Sequence, residues 1–144
     1  MPKKTPNPEP KPPKSLVVYG IPEPQARPQY ARGHFFSPKT QWWHKVYHAA
    51  RLARPKPMFE GPIKILVKFF MPRPAYVKKT EIWHGKRPDI DNILKGFLDA
   101  VTKAGWWLDD GQVADISVSK QYAPQGTEPK TVMWAAVALE NLAA

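Results

Sequence analysis

Ile90, Ile93, Leu94, Phe97, Leu98 and Val101 recur at the i, i+3, i+4, i+7 spacing of an amphipathic helix, and Gly105 follows as a C-terminal stop. An apolar stripe of that length must be buried against another layer, so the rest of the chain has to supply one. It does. Ile63, Ile65, Val67 and Phe69 alternate with Lys64, Leu66, Lys68 and Phe70, which is strand periodicity with one clearly apolar face. Leu16 to Tyr19, Val113 to Lys120 and about 131 to 139 also read as strands. Ser37-Pro38 predicts the start of a further helix over about 38 to 53, with Trp42, Trp43, Val46, Tyr47 and Ala50 at helical spacing and Pro55 as its stop. The order β-α-β-loop-α-β-β predicts a single α+β domain, in which a small mixed sheet of about four to five strands packs with two main helices.

The remaining segments are punctuated by the 18 prolines. Residues 1–14, MPKKTPNPEPKPPK, carry no large apolar side chain after Met1 and read as a flexible Pro/Lys-rich tail, with the folded domain over 15–144. The tail serves either as a solubilising extension or as a weak electrostatic arm. Residues 21–34, IPEPQARPQYARGH, read as a long loop carrying Arg27, Arg32 and His34. Residues 71–88 form a second, Pro-broken basic connection, in which Arg73, Lys78, Lys79, His84, Lys86 and Arg87 interleave with Tyr76 and Trp83.

With 22 Lys+Arg against 12 Asp+Glu the formal charge is +10. Such an excess suits a polyanion, whose condensed counterions are released when its phosphates are neutralised, although solubility alone is the plainer explanation. Basic loops with interleaved rings fit branched or unstacked nucleic acid, and equally a solvated loop with two rings folded back. Arg27, Arg32, Lys39, Arg73, Lys78, Lys79, Lys86 and Arg87 are the candidate phosphate contacts. The absence of Cys excludes disulfide scaffolds, cysteine-ligated zinc and thiol catalysis. No run approaches the roughly 18 apolar residues of a membrane span, and the N-terminus lacks the apolar core of a signal peptide. The expected compartment is the cytoplasm, with no membrane partner.

Against this basic background all six aspartates, Asp89, Asp91, Asp99, Asp109, Asp110 and Asp115, fall between positions 89 and 115. Pro88 disfavours helix at Arg87, so the chain should arrive extended and aim Asp89 and Asp91 to one side, at the start of a helix whose free amides favour carboxylates. Lys95 lies one turn beyond Asp91. Asp110 follows 19 residues after Asp91, on a loop expected to pack beside the helix start. Three carboxylates and an amine around one point would hold Mg²⁺ or Mn²⁺ through hard oxygen ligands and leave room for phosphate and water. Ordinary roles also account for the same residues: Asp89 as a helix cap, Asp91 and Lys95 as an i, i+4 pair, Asp109-Asp110-Gly111 as a turn.

The stretch KRPDIDNILKGFLDAVTKAGWWLDDGQVADISVSK, residues 86–120, closely resembles the core signature of the RusA family of Holliday-junction resolvases. Pro24 to Pro28, the Ser37-Pro38-Lys39 helix start and the strand near 63–70 also fit, so the resemblance spans about 15–140. It implies a homodimeric, divalent-metal-dependent endonuclease that makes paired nicks in four-way DNA junctions, without a small-molecule cofactor. The implied essential acids fall on Asp89, Asp91 and Asp110, and the implied essential lysine on Lys95; Asn92 and Asp109 are supporting. Pro88 departs from members that carry a basic residue there, leaving that phosphate contact to Arg87 or Lys86. Members of this kind are often of phage or prophage origin. Two other readings stay open from the residues: a nuclease acting on forks or flaps, and a branched-DNA binding protein without catalysis.

Overall fold

The computed structural model describes residues 11–138. Strands β1 (Lys14–Tyr19), β4 (Ile63–Met71), β5 (Val113–Tyr122) and β6 (Lys130–Val137) form a four-stranded mixed sheet in the order β1-β6-β4-β5. Its β4 and β5 are parallel, and β6 runs antiparallel to both β1 and β4. Helices α1 (Gln41–Ala53) and α2 (Ile90–Ala104) pack together over the sheet. This is the α+β architecture expected. Predicted and observed strands agree to within a few residues. Leu139 of the last predicted strand and residues 1–10 of the tail lie outside the described residues.

The predicted helix forms, with Ile93, Phe97 and Val101 of its stripe buried and Ile90, Leu94 and Leu98 half-buried against the core, so the buried face is turned toward Ala100 and Ala104. Ile93, Phe97, Ala100, Val101 and Ala104 are buried, and Gly105 closes α2 at φ 95°, donating its N–H to the Thr102 and Val101 carbonyls. Phe97 meets Trp42 of α1 and Phe69 of β4 at ring-centroid distances of 6.2 and 5.8 Å. Trp42 therefore belongs to the core. Beyond α2, Trp106 is fully buried and donates its indole N–H to the Ala50 carbonyl at 2.8 Å, tying the end of α2 to α1.

Two elements differ from their sequence-based reading. Helix α1 begins at Gln41, because Thr40 rather than Ser37 is the N-cap and its Oγ1 accepts from the Trp43 N–H at 3.0 Å. The stretch before it stays non-helical and brings Lys39 to Asp99 of α2. Secondly, the expected 21–34 loop contains a hairpin, β2 (Gln29–Ala31) and β3 (His34–Phe36). Its two-residue turn places Arg32 at φ 51° and Gly33 at φ 83°, the left-handed pair that matches strand twist.

Candidate active site

The six aspartates separate by what they touch. Asp99 accepts from Lys39 Nζ and Trp43 Nε1, both at 3.0 Å, and pairs with Lys103 at 3.4 Å. Burial alone would raise its carboxyl pKa, but the Lys39 hydrogen bond and charge, the Trp43 donor and Lys103 outweigh it and hold the group below its ordinary value. Asp99 is thus a structural acid. Asp109 caps a 3-10 turn, Asp110–Gln112, in a reciprocal box: its Oδ1 accepts from the Gly111 N–H at 2.8 Å, while Gln112 Oε1 accepts from its own N–H at 3.0 Å. Asp115 stands 3.9 Å from Lys64.

Asp89, Asp91 and Asp110 are different. All three are exposed, and none has an ion-pair partner among the described residues. Asp89 occupies the N-cap position of α2, yet its side chain makes no capping hydrogen bond. Asp91 accepts only the adjacent Asn92 N–H, at 3.0 Å, and forms no bridge to Lys95. The cap and i, i+4 roles that could have explained these two carboxylates are not realised. Both line one open groove with Lys86, Arg87 and Lys120. Because α2 starts at Ile90, Asp91 sits in its first turn, so the extended geometry expected of the pair holds only as far as Asp89.

Asp110 is not beside the helix start. The β4-α2-β5 unit is a parallel crossover, so α2 must carry the chain back to the beginning of β4 before β5 can run alongside. Asp89 therefore opens α2 and Asp110 follows its far end. The 15 residues between them in α2 span roughly 22 Å at 1.5 Å per residue. No group of three potential ligands that could hold a metal ion is found among the described residues. The donor chemistry of Asp89 and Asp91 still suits Mg²⁺ or Mn²⁺, since Mg²⁺ commonly keeps several waters and takes one or two carboxylates plus phosphate oxygens.

Lys120, which is not among the candidate site residues of the sequence, shapes this end of the molecule. Its Nζ donates to the Lys86 carbonyl and, at 2.6 Å, to the Pro88 carbonyl, pinning the segment that delivers Asp89. The Lys120 carbonyl accepts from the His84 N–H at 3.1 Å, and Tyr122 donates to the Ile82 carbonyl at 2.8 Å, so residues 82–84 line the outer side of β5. In the sequence Lys120 stands only as the last residue of the predicted Val113 to Lys120 strand. His84 is packed on the Tyr122 ring, and its Nδ1 is buried with no hydrogen-bond partner.

Desolvation, then the charge of Lys120 and more weakly of Lys86, lowers the His84 pKa from its ordinary 6.5, against a weaker opposing influence of the nearby backbone. The unfolded chain therefore binds this proton more readily. Its contribution to stability is complete above about pH 6.5 and is lost as the pH falls through the lowered folded value. An NMR titration should place the His84 midpoint below 6.5, with urea stability falling in the same window. A midpoint at or above 6.5 contradicts this.

The basic candidates also divide. Arg27 and Arg87 line a groove with Asp89, Asn92, Met71 and His84. Gln25 donates to the Asn92 carbonyl at 3.2 Å, which holds the 21–28 segment along the start of α2. Arg32 is at the tip of the hairpin, and Lys78, Lys79 and Lys86 are exposed, with Lys86 over the Tyr76 ring at 5.3 Å. Lys39 is paired with Asp99 and lies over Trp43. Arg73 is a loop staple, donating to the Ala123, Lys78 and Glu81 carbonyls at 2.8, 2.7 and 2.7 Å.

No described helix is long and apolar enough to cross a membrane. Comparison with known proteins adds the family. The chain is 34% identical over 126 residues to the uncharacterized protein YqaN of Bacillus subtilis strain 168, covering 76% of this chain and 88% of that one. It is 40% identical over 65 residues to the crossover junction endodeoxyribonuclease RusA of Escherichia coli K12, and to the same extent to that of Enterobacteria phage 82. The match spans 45% of this chain and 45% of each of those enzymes. The model of the family described as endodeoxyribonuclease RusA matches residues 20–131, which includes the hairpin, both helices, Asp89, Asp91, Lys95 and Asp110, and the chain belongs to that family.

Proposed function

We propose that the chain is a divalent-metal-dependent endonuclease that resolves four-way DNA junctions as a homodimer. The observation that supports this reading best is the isolation of Asp89, Asp91 and Asp110, three exposed carboxylates without an ion-pair partner among the described residues on a chain of net charge +10. A pure DNA binder gains nothing from unpaired negative charge facing phosphates. The names of the RusA relatives supply the substrate class.

Asp89 and Asp91 would hold the Mg²⁺ or Mn²⁺. Such an ion, when bound, lowers the pKa of its water and neutralises charge developing on the phosphate. Lys95, exposed on α2 one turn beyond Asp91, supplies positive charge for the same developing charge and a proton for the departing oxygen. Arg27 and Arg87 seat the backbone in the adjoining groove. Asp110 can join Asp89 and Asp91 only if it comes from a second chain. Paired incisions in opposed strands independently call for two sites related by a two-fold axis. One homodimer meets both requirements.

The test is incubation with labelled four-way junction, linear duplex and flap DNA, in Mg²⁺ and in EDTA. Junction-selective cutting in Mg²⁺ alone is expected, by a particle of twice the 16.4 kDa chain mass in light scattering. Cutting of flaps or duplex at the junction rate, or activity in a monomer, overturns the reading. Two side-chain predictions accompany it. Lys120→Met frees the Lys86 and Pro88 carbonyls, and junction cleavage should fall about tenfold for a stability loss of only ~1 kcal/mol. Cleavage at the wild-type rate would remove Lys120 from the site's support. Neutralising exposed Lys78 and Lys79 together should flatten the log–log salt dependence of junction binding by about one unit per lost phosphate contact. An unchanged slope assigns that loop to solvation.

A further inference from the structure

The β2–β3 hairpin is exposed at every residue from Gln29 to Phe36. Tyr30 and Phe35 face each other across it as a register pair, with ring centroids 5.1 Å apart, and are 64% and 74% exposed. Phe36 is 41% exposed on the opposite face, where His34 lies 6.4 Å from it. Rings so open to water are unusual on a surface with no partner, and a two-stranded hairpin without a packed face is only marginally stable by itself.

Charge identifies the occupant. Between Gly20 and Phe36 the chain carries Arg27, Arg32 and His34 against one acid, Glu23. Arg32 is at the tip and Arg27 at the root. The root is fixed to the acidic site: Gln25 is hydrogen-bonded to Asn92, and Arg27 lines the same groove as Asp89. A ring pair flanked by arginines and anchored at the edge of a phosphate-cutting groove matches an unstacked base with its backbone, because every base offers a face to stack on and every phosphate a charge to neutralise. Continuous duplex offers no such base. A branch point does.

We infer that the β2–β3 hairpin is a stacking wedge, in which Tyr30 and Phe35 receive unstacked bases at the branch point of the DNA held by the adjoining Asp89–Asp91 site. This rests on the nuclease reading above and deepens it by assigning how branched DNA is told from duplex. The arginines alone would bind both forms; the rings add affinity only where bases are unstacked.

The experiment uses the full chain in EDTA, with a four-way junction carrying 2-aminopurine either at the branch point or within an arm. Wild type should change the fluorescence of the branch-point probe and leave the arm probe unaltered. Tyr30→Ala/Phe35→Ala should lose that change and bind the junction at least about tenfold more weakly, the scale of one lost base–aromatic stack, with duplex affinity retained. Phe35→Trp, which keeps a ring, should keep the signal. Because the hairpin is outside the core, thermal melting should be the same for all three, which separates lost recognition from lost fold. A double variant with the wild-type signal and affinity overturns the inference alone, as does equal loss on junction and duplex. So does a double variant that falls from dimer to monomer in light scattering, which makes the rings a contact between copies. A wild type that binds junction no better than duplex overturns the nuclease reading and the inference together.

Discussion

Asp91→Asn and Asp110→Asn chains, each inactive alone, should recover junction cleavage when mixed under conditions that exchange subunits. Either single substitution removes one charge from the proposed metal-holding set while keeping the side chain's size, so cleavage should fall by at least about 10², the order seen when one key electrostatic stabiliser is lost. Junction binding should survive, since each change removes a negative charge facing phosphate. The mixture then distinguishes two arrangements. If Asp110 acts on the acids of its own chain, every site in a mixed dimer carries one defect and the mixture stays inactive. If it acts across the dimer, one site collects both defects and the other is intact. Random exchange makes half the dimers mixed, with one working site of two, so roughly a quarter of wild-type nicking should return. The product should be a single nick rather than a resolved junction. A mixture as inactive as its components would return Asp110 to its own chain and conflict with the separation along α2.

Trp106→Ala should be the most destabilising single change at the other end of α2. The indole is fully buried, packs edge-on to Phe59 at 6.3 Å and donates to the Ala50 carbonyl at 2.8 Å, while its own carbonyl accepts from the Phe59 N–H at 2.8 Å. Its removal leaves a large cavity and an unpaired carbonyl in the interface of the two helices. Losses for Trp or Phe to Ala in cores are about 3–5 kcal/mol, a large share of the 5–15 kcal/mol that holds a domain of this kind. Urea denaturation monitored by far-ultraviolet circular dichroism should show the drop. A change under about 1 kcal/mol would mean that the site repacks and that Trp106 is no keystone. By contrast Lys95→Ala, exposed on the face of α2 opposite Ile93 and Phe97, should abolish cleavage at a cost of only a few tenths of a kcal/mol.

Where local periodicity carried the information, the elements were legible in the sequence. The α2 stripe and the Gly105 stop, and the alternation of β4, each follow from one residue's neighbours three, four or two positions away. The hairpin was hidden by the opposite circumstance. None of its residues is buried, so Tyr30, Phe35 and Phe36 leave no apolar alternation, and only Gly33 marks a turn that could have been suspected. The helix start at Thr40 rather than Ser37 was a choice between two adequate caps, and non-helical chain before Thr40 accompanies the Lys39 to Asp99 pair.

By itself the sequence determined which acids were available for chemistry and in what order, because aspartates concentrated in a basic chain are visible without a fold. It also determined the elements that carry them. Which acids are free, and which meet, was settled by tertiary structure. Asp99 was drawn into a structural network by Lys39, sixty positions away along the chain, while Asp89 and Asp91 were left without an ion-pair partner among the described residues. Asp110, close in sequence to the end of α2, was carried to the far end of the sheet from Asp89. The physical reason is directional: a spacing along the chain has a length but no heading, and only the parallel pairing of β4 with β5 dictates that the intervening helix must run backwards.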